Sequence, residues 1–232
     1  MDYCADLMSR CPTRMRGFES RRAVDVDFKP GEIAIGVPHG HTLDPDAFIK
    51  QNIDKITKGY QKAKAKINIL QDDTILIHGN RRRITVEENQ TPPDPPVTLT
   101  PDTITIHAKP LEDPNTLLKN WITAETQRIA TETLKKHANR LAKPQTIRTR
   151  DAPRWGQCNK RGEVVLNWQL ATLPPELAEY ITIHEALHLK HFNHQNDFHT
   201  DLERILPNHR ELEKKINNYL AIPPNFQFKR KN

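Results

Sequence analysis

The sequence predicts an α+β protein, with a strand-rich N-terminal half and a C-terminal part in which helices pack on a small sheet. Before residue 110, segments of alternating apolar and polar residues are separated by turn-forming residues, a pattern typical of β-hairpins. After residue 113, apolar residues recur at spacings of three and four, which is typical of amphipathic helices. A chain of 232 residues can form one large domain or two small ones.

The N-terminal half is predicted to contain hairpins and one helix. The first residues show no clear period, and we expect residues 1–20 to be poorly ordered. Gly, Pro, Asn and Asp separate the strands of hairpins that we predict at residues 23–37, 74–86 and 97–107. Asp44 followed by Pro45 indicates the start of a helix that continues to about residue 65.

The C-terminal part is predicted to be mostly helical. Asp113 and Pro114 indicate the start of a long helix that continues to about residue 141. Short strands are predicted at residues 146–150, 154–158 and 163–167, and further helices from Pro175, at 196–206 and at 209–219. The chain is therefore expected to comprise a poorly ordered segment (1–20), a strand-rich region (21–110), a second domain (111–222) and a C-terminal tail (223–232).

The segment with the strongest chemical signal is the apolar, histidine-rich stretch at residues 181–199, which contains the pattern H-E-x-x-H. On a helix, His184 and His188 lie on one face, so both imidazoles can bind one cation. Neutral imidazole is a preferred ligand of Zn²⁺. Glu185 points to another sector, from which it can act as general base on a metal-activated water. The pattern predicts one zinc ion per chain.

A catalytic zinc usually has a third protein ligand, and we predict that His194 supplies it. A continuous helix would carry His194 about 15 Å along the axis from His184. The chain must therefore reverse, and we predict that Asn193 makes this turn in the left-handed conformation. Other candidates for the third ligand are His191, His199 and Glu203.

Composition limits the class of protein and its partners. No apolar run approaches the ~20 residues that a membrane-spanning helix needs, and the first residues do not form a secretory signal. Three cysteines without a C-x-x-C pair predict reduced thiols and a cytoplasmic location. The net charge is +6, and basic clusters could attract nucleic acid or nucleotides, although an ordinary solvated surface is the simpler explanation. The clusters are Arg21-Arg22, Lys62/Lys64/Lys66, Arg81-Arg82-Arg83 and Lys229-Arg230-Lys231.

Several motifs of the C-terminal part resemble the YgjP-like metallopeptidase family, which is related to the SprT-like and other zincin enzymes. The motifs are R-W-G-Q-C from Arg154, V-L-N-W-Q-L from Val165, L-P-P-E from Leu173, the histidine-rich segment from His184, and L-P-N from Leu206. A weaker N-terminal pattern agrees from about residue 21, so the resemblance is nearly full length. The chain departs from the family pattern at Pro153, Gln157 and Leu187.

The resemblance implies a zincin-like C-terminal domain with a small sheet packed on the H-E-x-x-H helix. It also implies that His184, His188 and His194 bind zinc and that Glu185 is the catalytic acid and base.

In zincins, a strand beside the metal helix commonly aligns an extended peptide by edge pairing. Either residues 154–158 or residues 159–167 can supply that strand. We predict Arg154, Trp155 and Asn167 as substrate-binding residues, although packing of the sheet on the helix explains Arg154 and Trp155 equally well.

The expected function is zinc-dependent hydrolysis of peptides or unfolded protein. One alternative is a metal-dependent nucleoside triphosphate pyrophosphohydrolase, a description that some members of the family carry. Against it, the chain has no glycine-rich phosphate loop, and histidines suit zinc better than Mg²⁺. A second alternative is a nucleic-acid-associated protein with a structural zinc, but structural sites are usually closed by four ligands. The sequence does not predict the oligomeric state.

Overall fold

The structure is a computed structural model that describes residues 13–18, 24–29, 32–38, 44–222 and Phe226. The chain divides into two compact units, Met1–Lys66 and Ile67–Asn232. The boundary between residues 110 and 111 that we drew from the pattern of strands and helices stays a prediction. No helix among the described residues is long and apolar enough to span a bilayer.

The first unit contains a three-stranded sheet with the order β1-β3-β2. Its elements are β1 (Thr13–Phe18), β2 (Asp25–Lys29), β3 (Glu32–Pro38), α1 (Pro45–Gln51) and α2 (Ile53–Lys64). β2 and β3 pair antiparallel, which confirms the first predicted hairpin. Its core consists of buried β-branched side chains from β3 and both helices, namely Ile35, Val37, Ile49 and Ile56.

Two features of this unit differ from the prediction. Strand β1 pairs in parallel with β3, so the expectation of poor order is wrong for residues 13–18, and the rest of residues 1–20 lies outside the described residues. The single predicted helix is two helices, with a break at Asn52. Its side-chain Nδ2 donates to the carbonyl of Phe48 at 3.0 Å, and such local bonding competes with continuation of a helix.

The second unit begins with a five-stranded sheet of order β5-β6-β7-β9-β8. Its strands, with the short β4 before them, are β4 (Ile67–Asn68), β5 (Leu70–Gln71), β6 (Thr74–Ile77), β7 (Asn80–Glu88), β8 (Val97–Leu99) and β9 (Thr103–Ala108). Antiparallel pairing of β6 with β7 and of β8 with β9 confirms the other two hairpins. β7 and β9 pair in parallel and so join them into one sheet.

The rest of the second unit is a three-stranded sheet surrounded by helices. Its elements are α3 (Pro114–Lys136), β10 (Thr146–Arg150), β11 (Gly156–Cys158), β12 (Glu163–Asn167), a 3-10 helix (Trp168–Thr172), α4 (Pro175–Leu187), α5 (Asn196–Ile205), α6 (His209–Ile216) and β13 (Tyr219–Leu220). Asp113 caps α3 as predicted, because its carboxylate accepts from the backbone N–H groups of Asn115 and Thr116. The helix ends earlier than predicted, at Lys136. The mixed arrangement of helices and sheets confirms the predicted α+β class.

Helix α4, which carries H-E-x-x-H, lies at the centre of this unit. Nine of its 13 residues are buried, so it packs against neighbours on almost every side, as expected of a helix that is apolar all round. Those neighbours are α3, α5, α6, β11, β12 and the 3-10 helix. Its ends are therefore held firmly, which a precise site requires.

The chain after β13 is held against the 3-10 helix. The amide of Gln169 accepts from the backbone N–H of Ile222 at 2.6 Å and donates to its carbonyl at 2.8 Å. The ring of Phe226 stacks on Trp168 with centroids 5.8 Å apart. The rest of the predicted tail lies outside the described residues.

The tip of the β6–β7 hairpin braces the start of α4. The N–H groups of His78 and Gly79 donate to backbone carbonyls of the 3-10 helix at 2.9 and 3.1 Å. His78 Nε2 lies 2.9 Å from Glu125 Oε1 on α3. Hydrogen bonds from Arg128 and then from His78 lower the pKa of Glu125 to about 2. Gly79 has a φ of +76°, and a Cβ there would lie 2.9 Å from the Cα of Pro174.

We expect Gly79→Ala to destabilise the protein more than Gly162→Ala. Both glycines have positive φ, which costs an L-residue about 1–2 kcal/mol. At Gly162 the nearest atom to an added Cβ is on the flexible side chain of Gln145, at 3.2 Å, whereas at Gly79 it is the backbone of Pro174. Urea unfolding of the two variants measures the difference, and equal losses of stability would show that the hairpin tip does not brace α4.

Candidate metal centre

Three imidazoles converge at the C-terminal end of α4. The Nε2 atom of His194 lies 3.0 Å from that of His184 and 3.1 Å from that of His188. Zn–N bonds of ~2.0–2.1 Å at tetrahedral angles place ligand nitrogens roughly 3.3–3.4 Å apart. The three nitrogens are therefore spaced as ligands of one small cation. Among the described residues, this is the group of three that can hold a metal ion.

Two of these imidazoles are in the protonation state that a metal ligand needs. Burial lowers the pKa of His184 to about 3, with smaller contributions from the neighbouring histidines. Burial also lowers the pKa of His194. Both rings are therefore neutral at pH 7, and neutral imidazole is the form that binds metals.

The chain reverses after α4, as the prediction required, but by a different route. The helix ends at Leu187, and the following turn is closed by N–H bonds from Leu189 to Ala186 and from Lys190 and His191 to Leu187. The prediction that Asn193 is left-handed is wrong, because Asp72, His78 and Leu111 are the non-glycine residues with positive φ in the described part of the chain. Instead, Asn193 Oδ1 accepts from the N–H of Gln195 at 3.3 Å. Because the reversal is spread over several residues, it needs no single left-handed one.

Phe198 on α5 supports all three rings. It is fully buried, and its ring centroid lies 5.0 Å from that of His184 and 4.8 Å from those of His188 and His194. The sequence analysis assigned no role to it. The only indication of its role in the sequence is that it is a large apolar residue within the polar segment N-D-F-H at the start of α5.

Hydrogen bonds behind the site fix the orientation of His188. Its Nδ1 lies 2.8 Å from the carbonyl of His191, and a carbonyl only accepts, so Nδ1 carries the proton and Nε2 has the free lone pair. The ring of His191 in turn bonds Asp201 at 2.8 Å. Hydrogen bonds from Lys190 and then from His191 lower the pKa of Asp201 to about 2. His191 thus lies outside the group of three and supports it through its backbone.

The remaining candidates for the third ligand are not part of the group. His199 and Glu203 are exposed side chains on α5. The ring of His199 lies 6.5 Å from that of His194.

The side chain of Glu185 lines the same cleft as the three histidines. It is 8% exposed, and burial raises its pKa to about 7, against the lowering effect of the positive charge of Arg154. Strand β11 approaches it closely at Gly156, where an added Cβ would lie 2.5 Å from Glu185 Cγ and 2.9 Å from Oε1. The glycine of R-W-G is therefore required for the position of the carboxylate, which the sequence analysis did not foresee.

The site opens into a cleft of about 740 Å³ between β11 and helices α4 and α6. Arg154 and Trp155, predicted to bind substrate, line this cleft. Asn167 is buried, and its amide donates to the carbonyl of Ala152 at 2.7 Å and accepts from the N–H of Gln169 at 2.9 Å. Because its polar atoms are used within the fold, we assign Asn167 a structural role.

The described basic clusters are partly used inside the fold. Arg81 donates to the carbonyls of Asn68 and Ile69 at 2.6 and 3.0 Å. Arg82 donates to the carbonyls of Thr100 and Ile77. Two arginines of this cluster therefore stabilise the five-stranded sheet. The clusters at Arg21-Arg22 and at residues 229–231 lie outside the described residues.

Three converging histidines beside a buried glutamate in an open cleft are typical of the active sites of metallohydrolases. The chain belongs to the YgjP-like family, because residues 22–219 match its metallopeptidase domain. It is therefore a hydrolase of the metallopeptidase class, and this class uses a divalent metal ion.

The chain was also compared with solved structures and with curated proteins. The crystal structure of the metallopeptidase zymogen jannalysin of Methanocaldococcus jannaschii is similar at 23% identity and a TM-score of 0.33, over 40% of this chain and 87% of that one. No curated protein matches the chain.

We expect Gly156→Ala to impair peptide hydrolysis while the three histidines keep their positions. The added methyl overlaps Glu185 Cγ, so the carboxylate must move, and the three atoms nearest to the new methyl all belong to Glu185 rather than to a histidine. Peptide hydrolysis and metal content measure the two effects. Gly162→Ala, which changes the β11–β12 turn away from Glu185, is the matched control. Normal hydrolysis by Gly156→Ala would contradict the proposed packing.

Proposed function

We propose that the protein is a zinc-dependent peptidase in which His184, His188 and His194 hold the ion and Glu185 is the general base. The observation that supports this most directly is the convergence of three imidazole nitrogens beside a buried carboxylate in an open cleft. Substrates would be peptides or unfolded segments of proteins.

The choice of zinc rests on the chemistry of the donors. Three imidazoles with space for a further ligand are a known set for catalytic zinc, whereas structural zinc sites are usually closed by four Cys or His ligands. Oxygen-rich sites would instead suit Mg²⁺ or Ca²⁺. When bound, zinc would supply polarisation of the scissile carbonyl and activation of water.

Glu185 would carry the proton transfers. A carboxylate with a pKa near the working pH can accept a proton from the attacking water and later return it to the leaving nitrogen. Its burial raises the pKa to about 7, which matches that task. Gly156 lets the carboxylate lie against β11, and the nearby charge of Arg154 favours its ionised form.

Strand β11 is our choice for aligning the substrate. β12 pairs with β10 on one side and with β11 on the other, so residues 163–167 have no edge free for a peptide. β11 is at the edge of this sheet, and its residues line the cleft. An extended peptide could add to it as a further strand, with Arg154 and Trp155 beside it.

We expect the purified protein to bind about one Zn²⁺ per chain, and His194→Ala to weaken binding far more than His191→Ala. His194 contributes a nitrogen to the group of three, whereas the ring of His191 is engaged by Asp201. Elemental analysis after dialysis against a weak chelator measures the difference. Zinc retained in His194→Ala at the wild-type level, or lost equally in both variants, would contradict this ligand set.

We expect Glu185→Gln to keep zinc and fold but to lose hydrolysis by roughly 10²–10⁴-fold, the usual contribution of a positioned acid or base. Cleavage of an unfolded protein measures the loss, and melting temperature and metal content are the controls. Wild-type turnover by this variant would leave Glu185 without a catalytic role. Release of pyrophosphate from nucleoside triphosphates, with no peptide cleavage, would instead favour the nucleotide alternative.

A further inference from the structure

The two walls of the cleft carry opposite charges. On the side of β11, Arg154 and Lys160 line it, and on the side of α6 it is lined by Glu213, Ile216 and Asn217. A peptide in the cleft would therefore lie between a basic and an acidic wall. The basic wall already has a negative neighbour, because the charge of Arg154 acts on Glu185.

Glu213 has no such neighbour. Its side chain is exposed, and no described residue forms an ion pair or hydrogen bond with its carboxylate. Burial raises the pKa of Tyr180 to about 12, and the negative charge of Glu213 adds to this rise. The same charge opposes the lowering of the pKa of His194 by burial. The carboxylate is therefore near the metal group, yet it is not a member of that group.

The fold fixes the place of Glu213. Helix α6 is anchored by the buried side chains Leu212 and Ile216, which flank Glu213 in sequence, and it packs against α4. Ile216 and Tyr180, both largely buried, also line the cleft with apolar atoms, and the charge of Glu213 acts on Tyr180. A carboxylate with apolar neighbours suits a ligand that has an alkyl stem and a cationic end, since the stem covers apolar surface while the charge pairs.

We propose that Glu213 determines specificity by binding a positively charged nitrogen of the peptide substrate. That nitrogen is either the side chain of a lysine or arginine or the free α-amine of the peptide. The proposal rests on the peptidase function proposed above. It specifies that the substrate group that lies against the α6 wall is positively charged. The basic wall would then accept the neutral or acidic part of the peptide, so that the two walls together orient the chain.

The test measures peptide binding to the full chain loaded with zinc and carrying Glu185→Gln, so that bound peptide is not cleaved. Labelled peptides with blocked termini differ at one position, which is lysine, glutamine or glutamate, and this position is moved along the peptide. A second pair differs only in a free or acetylated N-terminus. Fluorescence anisotropy gives the ratio of dissociation constants for each pair and thus separates the two sources of the charge.

We expect at least one pair to show tighter binding of the charged peptide by roughly two- to fivefold, the range of an exposed ion pair. Adding Glu213→Gln should abolish this preference, and Glu213→Lys should reverse it toward glutamate-containing peptides. The preference should also weaken as salt is raised. The matched control is Glu211→Gln, which removes the same charge from an exposed position of the same helix outside the cleft and should leave the preference intact.

Three results would overturn the proposal. These are no preference for the charged peptide, the same loss of preference in the Glu211 and Glu213 variants, or loss of zinc from Glu213→Gln, which would make it a metal ligand instead. Failure of the peptidase function is recognised separately with the protein that retains Glu185. Peptide cleavage without charge preference contradicts the role of Glu213 alone, whereas charge-selective binding without cleavage contradicts the peptidase function alone.

Discussion

Two imidazoles four residues apart on a helix cannot complete a metal site by themselves, and much of the C-terminal fold is arranged to bring a third to them. Helix α4 ends at Leu187, and the turn that follows returns the chain so that His194 meets His184 and His188. Phe198, fully buried on α5, supports all three rings. Asp201 holds His191, whose carbonyl orients His188. The site thus depends on α5 as much as on α4.

A buried carboxylate that no described residue pairs with is unfavourable for a fold, and the surroundings of Glu185 show how this one is held. Burial raises its pKa to about 7, because desolvation disfavours the charged form. The backbone of β11 at Gly156 lies against the side chain, so the carboxylate has little freedom to change its position in the cleft. The α4 packing and the hairpin tip at Gly79 stabilise the helix that carries it. The burial that suits Glu185 to proton transfer therefore destabilises the fold at this residue, and the packing of α4 compensates for it.

Local patterns predicted the elements of this fold well, and long-range contacts explain most of what they missed. The hairpins were signalled by turn residues such as Gly79-Asn80, and α3 by the cap at Asp113, because these signals lie within a few residues of the structure they specify. The parallel pairing of β1 with β3 spans another strand and leaves no such signal. At the site, the H-E-x-x-H spacing predicted that His184 and His188 lie together, and His194 was the preferred one of several candidates for the third position. The spacing could not predict the contact of Gly156 with Glu185 or the support from Phe198, since both join segments that are distant in sequence.

The groups proposed for chemistry and those proposed for selection lie on different kinds of element. His184 and Glu185 are on α4, which is buried on almost every side. Glu213 is on α6, an eight-residue helix. A few buried side chains anchor one face of this helix, and Glu213 is on the exposed part. A change at Glu213 therefore disturbs no packing, whereas a change on α4 disturbs the core. Such a division permits the charge preference of the cleft to vary while the metal centre is kept, because substrate-selecting groups tolerate variation best when a rigid scaffold positions them.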